Sequence, residues 1–188
     1  MNTSEFVNDL NSHHHVLQVI THAENGQYAQ FQFIKNGLDK GELSIYLTHE
    51  NPSKTKKKMQ KFGIDTDRFI EEALLQIHQV PDILSYDDPI AEFQKFFGGI
   101  APDPQKRFRI AGRPINDIKS KKAMETVLQI ERLVHSNFDK INATILCYYD
   151  HTKLNQDTMM MDIKHLLECH DGAIFSTIVK PGFAFWNT

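Results

Sequence analysis

Residues able to do chemistry fall at the ends of short apolar runs in this chain. Thr21 and His22 follow "HVLQVI", Thr48, His49 and Glu50 follow "LSIYL", Arg113 follows "RFRIAG", and Tyr149, Asp150 and His151 close "ATILCYYDH". Together they offer imidazoles, carboxylates and a guanidinium, the mixture that lines a small-molecule pocket. No Ser-His-Asp order, nucleophile elbow or paired carboxylate accompanies them, so no catalytic residue is assigned. "HLLECH" sets His165 and Cys169 four apart on one helix face, near Asp162. No second pair has metal-site spacing, so no metal centre is expected. His170 reads as a helix C-terminal residue favoured by the dipole. Cys147 lies inside an apolar run and reads as buried; the sharper alternative is a ligand-facing thiol. Strand alternation puts it on one face with Ile145 and Tyr149.

A phosphate-binding loop needs glycines for close backbone approach, a lysine for the phosphate charge and a hydroxyl for magnesium. The segment after the first apolar run, "THAENGQYAQ", has one glycine, Gly26, an acid, Glu24, and no lysine; no Lys or Arg occurs before Lys35. Triphosphate binding of the usual kind is therefore not expected, and no cofactor is assigned. Lys54, Lys57, Lys58 and Lys61 read as a solvated helix face. Lys106, Arg107, Arg109 and Arg113 form a second basic group, a rim for an anionic ligand or partner in the sharper reading.

Short β-like runs alternate with helical patterns, which predicts an α/β fold with a mainly parallel sheet flanked by helices. Strands are expected at residues 15–21, 43–48, 74–80, 107–112 and 143–150. Segments 173–179 and 183–186, joined by Lys180-Pro181-Gly182, are expected to form a C-terminal antiparallel hairpin. Helical spacing from Tyr28 to Leu38 gives a first helix. Others are expected at 52–62, with Pro52 in its first turn and Gly63 beyond its end, at 89–100, at 121–138, and from a cap at Asp157 to Glu168. Gly37 and Gly41 bracket a helix exit and are expected in backbone conformations costly for other residues.

With 188 residues, 40% of them hydrophobic, 24% charged and a net charge of −3, the chain fits one soluble domain without a dedicated nucleic-acid surface. No apolar run approaches the roughly 20 residues that span a bilayer. The N-terminus lacks an early basic residue and an apolar core, so it does not read as a secretory signal. Two cysteines, Cys147 and Cys169, fit a reducing cytoplasm better than a disulfide framework.

"QFIKNGLDKGELSIYLTHENP", residues 32–52, is similar to the stretch that follows the phosphate loop in RecA/KaiC-like ATPases. Further landmarks occur in order. They are His15 opening the first strand; Phe33, Gly37, Leu38, Gly41, Glu42 and Tyr46 in an "F...GL..GE..iY" block; Gly63 and Asp65; Arg109 and Gly112; Glu131; Leu146, Cys147, Tyr149 and Asp150; and His170. In this order they resemble the MEDS family, the sensory domain of the dichloromethane regulator DcmR and of methanogen and methylotroph signalling proteins. The chain departs from that pattern at Ile20, Arg113, Ile130 and Asp171, where the family pattern has tyrosine, an acid, tyrosine and proline. The resemblance implies a three-layer RecA/KaiC-like fold without its phosphate loop. It implies a single domain over residues 13–188 after an N-terminal extension, 1–12. It also implies a non-catalytic sensory role, with a small molecule, a signalling protein or a second copy as partner, and neither nucleic acid nor membrane. Glu50 stands where KaiC-like ATPases carry a catalytic acid. The ligand residues expected on this basis are His15, Thr21, His22, His49, Glu50, Arg113, Cys147, Tyr149 and Asp150. Two rival readings stand beside it: a divergent nucleotide-binding ATPase, and a structural interaction module.

Overall fold

The computed structural model describes residues 1–10, 13–21, 23–102, 106–176 and 182–187. Its elements are α1 (Thr3–Asp9), β1 (His15–Ile20), α2 (Ala23–Leu38), β2 (Leu43–Thr48), α3 (Pro52–Phe62), α4 (Thr66–Glu71), β3 (Leu75–Gln79), α5 (Pro89–Ile100), β4 (Phe108–Gly112), α6 (Lys121–Asn137), β5 (Ala143–Asp150), α7 (Met159–Leu167), β6 (Gly172–Ser176) and β7 (Phe183–Trp186). The sheet order is β3-β2-β4-β5-β1-β6-β7. Every neighbouring pair is parallel except β6 and β7, which are antiparallel as expected.

Strands β1 and β5 are covered on both faces, which is why they read as near-continuous apolar runs. Alternation then divides the core. Leu17, Val19, Ile45, Ile110, Ile145, Cys147 and Tyr149 pack under α5, α6 and α7. Val16, Ile20, Tyr46, Ala111, Leu146 and Tyr148 pack under α1, α2, α3 and α4. The result is a three-layer α/β sandwich. Residues 1–12, read as an extension, contribute α1, whose Phe6 and Val7 are fully buried in the second of these layers together with Leu10.

Several expectations need correction. The segment after β1 is not a long loop: α2 begins at Ala23 rather than near Tyr28. Gly26 lies inside that helix, where a Cβ would come 2.6 Å from the Ile20 side chain, so its smallness serves helix-on-strand contact. The short α4, capped by Asp65, was not anticipated. Helix α7 is preceded by Thr158, not capped by Asp157. Gly41 has φ +72, the left-handed conformation expected of it. Gly37 does not; its constraint is close approach, since a Cβ there would lie 2.6 Å from both Arg109 Cδ and Ser44 Oγ. The expected strand residues 177–179 and the Lys180-Pro181 turn lie outside the described residues.

Gly37 clears the way for a buried ion pair. Arg109 is fully buried, donates from Nε to Glu42 Oε2 at 2.5 Å and from a terminal nitrogen to the Leu10 carbonyl at 2.9 Å. Its guanidinium also lies 5.1 Å from the Phe33 ring centre. Phe33, Gly37, Glu42 and Arg109 thus meet in a structural knot on the α2 side of the sheet, away from the strand tips.

Candidate functional site

The carboxyl ends of β1, β2, β4 and β5 border a cleft of about 310 Å³, where ligands sit in open parallel sheets. Tyr46 and Tyr148 form its aromatic wall, with ring centroids 6.1 Å apart. His49, Glu50, Arg113 and Asp150 are brought together around it, joined by Lys58 and Asn116. Burial pushes both phenols above their usual range, so they stay protonated.

Most charged groups here are already engaged. Glu50 accepts from Lys58 Nζ at 2.6 Å and from Thr55 Oγ1 at 3.2 Å. Asp150 accepts from the Thr152 backbone and hydroxyl. His49 Nε2 donates to the Arg113 carbonyl at 3.1 Å, because a carbonyl can only accept. Burial, with the Arg113 charge second, lowers the His49 pKa to about 4, so the ring is neutral near neutral pH. Arg113 packs its guanidinium 5.1 Å from the Tyr148 ring centre and donates from one terminal nitrogen to Asn116. Its buried Nε has no partner.

The other expected residues lie elsewhere. Cys147 and Tyr149 share a strand face as expected. That face is not the cleft wall: it lies beneath α6, and Tyr148 takes the place expected of Tyr149. His15 is fully buried with Cys147, its Nε2 lying 3.3 Å from Cys147 Sγ. Glu131 of α6 joins them, with Oε2 at 3.2 Å from His15 Nε2 and 3.4 Å from Cys147 Sγ, while Tyr149 donates its hydroxyl to Oε1. His170, just past α7, stands with Nε2 at 3.6 Å from Glu131 Oε2. A small apolar cavity of about 30 Å³ touches Cys147 and Glu131 from the α5 side. Burial raises the Cys147 thiol pKa and lowers that of His170 to about 3. Burial would raise the Glu131 pKa, but the hydrogen bonds donated by His15 and Tyr149 oppose it and hold the carboxyl below its usual range. Thr21 joins neither group; its amide and hydroxyl donate to the Ser176 carbonyl. His22 lies outside the described residues.

Tyr46, Tyr148, Glu131 and His170 were absent from the expected site. Tyr46, Glu131 and His170 were landmarks of the family pattern, the available signal. Residues 14–171 match the profile of the family described as MEDS, methanogen/methylotroph, DcmR sensory domain. This chain belongs to the MEDS family. No curated protein matches it. Among solved structures it is similar to a KaiC-like protein from the hyperthermophilic archaeon Pyrococcus horikoshii, at 18% identity and a TM-score of 0.56, over 87% of this chain and 71% of that one. That likeness shows the RecA/KaiC-like fold. Two departures from the MEDS pattern acquire roles in this chain. Arg113 supplies a cation at the cleft. Asp171 fastens the start of β1, its carboxylate accepting from the His15 amide at 2.7 Å and its amide donating to the His15 carbonyl at 2.7 Å.

Proposed function

We propose that this MEDS chain is a non-catalytic sensory domain that binds a small polar molecule in the strand-tip cleft. The observation that carries the reading is the buried, unpartnered Nε of Arg113 beside the Tyr46–Tyr148 wall. A buried donor without an acceptor is costly, and a ligand carboxylate or similar acceptor would satisfy it. The engaged state of Glu50 and Asp150, and the neutral His49, leave no poised general base. Between β1 and α2 there are two residues, Thr21 and His22, and no lysine, which supports a reading without nucleotide hydrolysis. Ligand occupancy would reach a signalling partner or a second copy through β2, β4 and β5, whose ends carry the cleft.

Thermal unfolding of the purified chain with small carboxylates (formate, acetate, glycolate, glycine) and, separately, with Mg²⁺–ATP tests this. A saturable rise in midpoint with a carboxylate, lost in Arg113→Ala, is the expected result. A rise with Mg²⁺–ATP alone would favour the nucleotide-binding alternative. No response to either class would favour an interaction module.

A further inference from the structure

We infer that His15, Glu131, Cys147 and His170 bind one divalent transition-metal ion of the zinc class, on the face of the sheet opposite the cleft. One donor atom from each of the four lies within 4.8 Å of the others, and all four residues are buried. In a tetrahedral site with metal–donor bonds of about 2.0–2.3 Å, donors stand about 3.3–3.8 Å apart. The separations around Glu131 Oε2 are 3.2 Å to His15, 3.4 Å to Cys147 and 3.6 Å to His170, and His15 lies 3.3 Å from Cys147. The other two pairs, His170 with His15 and with Cys147, stay within 4.8 Å, so a contraction of about 1 Å at most brings the set to a metal shell.

The orientation of the donors points the same way. His170 Nδ1 lies 2.6 Å from the Leu166 carbonyl, so Nδ1 carries the proton and Nε2 presents its lone pair. That Nε2 is buried, has no hydrogen-bond partner and faces Glu131. Backbone carbonyls fix metal-ligating histidines in this way. Tyr149 occupies Glu131 Oε1 and leaves Oε2 toward the cluster, a second outer contact of the same kind. Two imidazoles, a carboxylate and a thiolate suit a borderline-soft ion and not magnesium or calcium, which prefer oxygen. The charges also match: carboxylate and thiolate together neutralise a divalent ion at a buried site.

Binding replaces the Cys147 S–H bond by a metal–sulfur bond and sends that proton to solvent. The His15 proton shifts from Nε2 to Nδ1 within the ring. The four donors come from β1, α6, β5 and the turn after α7, and together they close the coordination shell. A closed shell of four protein donors is the structural kind of site, without an open position for substrate. The inference stands independently of the cleft and of its ligand.

The test uses the full chain, stripped of metal by a chelator and titrated with Co²⁺ and then Zn²⁺. The expected result is saturation at one ion per chain, with a thiolate-to-cobalt charge-transfer band, tetrahedral visible bands and displacement by Zn²⁺. Release of about one proton should accompany binding. Cys147→Ser should abolish the charge-transfer band, and Glu131→Gln, which keeps the shape of the side chain, should weaken binding by about tenfold or more. Cys169→Ser, whose thiol bonds the His165 carbonyl instead, should change neither. Far-ultraviolet circular dichroism checks that each variant is folded. Absence of stoichiometric Co²⁺ binding by the wild-type chain overturns the inference. So does a band that survives in folded Cys147→Ser, or one lost in folded Cys169→Ser.

Discussion

Tyr148 and Tyr149 are neighbours in the chain and serve opposite faces of the sheet. The hydroxyl of Tyr148 donates to the Leu47 carbonyl at 2.8 Å beside the cleft, and that of Tyr149 to Glu131 in the buried cluster. Removing either hydroxyl therefore has a different consequence. Tyr149→Phe leaves a buried carboxylate short of a donor and should destabilise the fold by about 1–3 kcal/mol in urea unfolding. Tyr148→Phe should cost less stability and act on ligand response. Equal stability losses in the two variants would contradict this assignment.

Arg109→Met leaves Glu42, itself only 7% exposed, with Arg107 as its remaining basic partner at 2.9 Å. The expected loss is about 3–5 kcal/mol. Adding Glu42→Gln should restore part of it, because the carboxylate that has lost its buried partner and keeps only the half-exposed Arg107 is then gone. A strictly additive double variant, measured by chemical denaturation, would argue against direct coupling.

The two glycines at the α2 exit should respond differently to alanine. Gly41→Ala meets open space but keeps a left-handed backbone, costing about 1 kcal/mol. Gly37→Ala drives a methyl into Arg109 and Ser44 and should cost about 2 kcal/mol or more. The order of the two thermal midpoints checks it.

Acid should weaken the fold through His49. Its folded pKa is about 4 against an ordinary 6.5. Between those values the unfolded chain takes up a proton that the folded chain excludes. The contribution is fully present above about pH 6.5, falls as pH drops, and is gone below about pH 4, a loss on the order of 2 kcal/mol. The groups facing the ring are Arg113 and Asp82. His49→Gln keeps a donor for the Arg113 carbonyl and should reduce the slope of the stability profile across this window, the slope that remains including that of His170, whose pKa is also lowered; an unchanged slope would place the acid sensitivity away from His49.

The sheet was legible because β1 and β5 are largely apolar runs and α6 has a sustained helical period. Helix α4 was not, since six residues carry too little periodicity to stand out. The start of α2 was hidden by Gly26, which reads as a loop residue until the contact with Ile20 is seen. Parity placed Cys147 and Tyr149 together but cannot say which face meets a cleft and which a helix. The buried cluster was hidden for another reason. His15 and Cys147 are 132 residues apart in the chain, and strand pairing, not local spacing, brings them together.

Beneath the cleft, the side chains of Gln18, Gln30 and Tyr46 are joined with Ser176. The Gly26 carbonyl can only accept, so the Gln18 amide nitrogen faces it at 3.0 Å and Ser176 at 2.7 Å. The Gln18 oxygen must then accept from Gln30 at 3.3 Å, and the Gln30 oxygen from the Tyr46 hydroxyl at 2.6 Å. Donation along this line runs from Tyr46 through Gln30 and Gln18 to Ser176 and the Gly26 carbonyl. Tyr46, with its proton committed to Gln30, can only accept, while the Arg113 Nε has a proton to donate. The cleft floor thus has a fixed sense, like a socket with distinct pins. For the ligand proposed above, a molecule that donates at one end and accepts at the other would fit this pair of groups in one orientation.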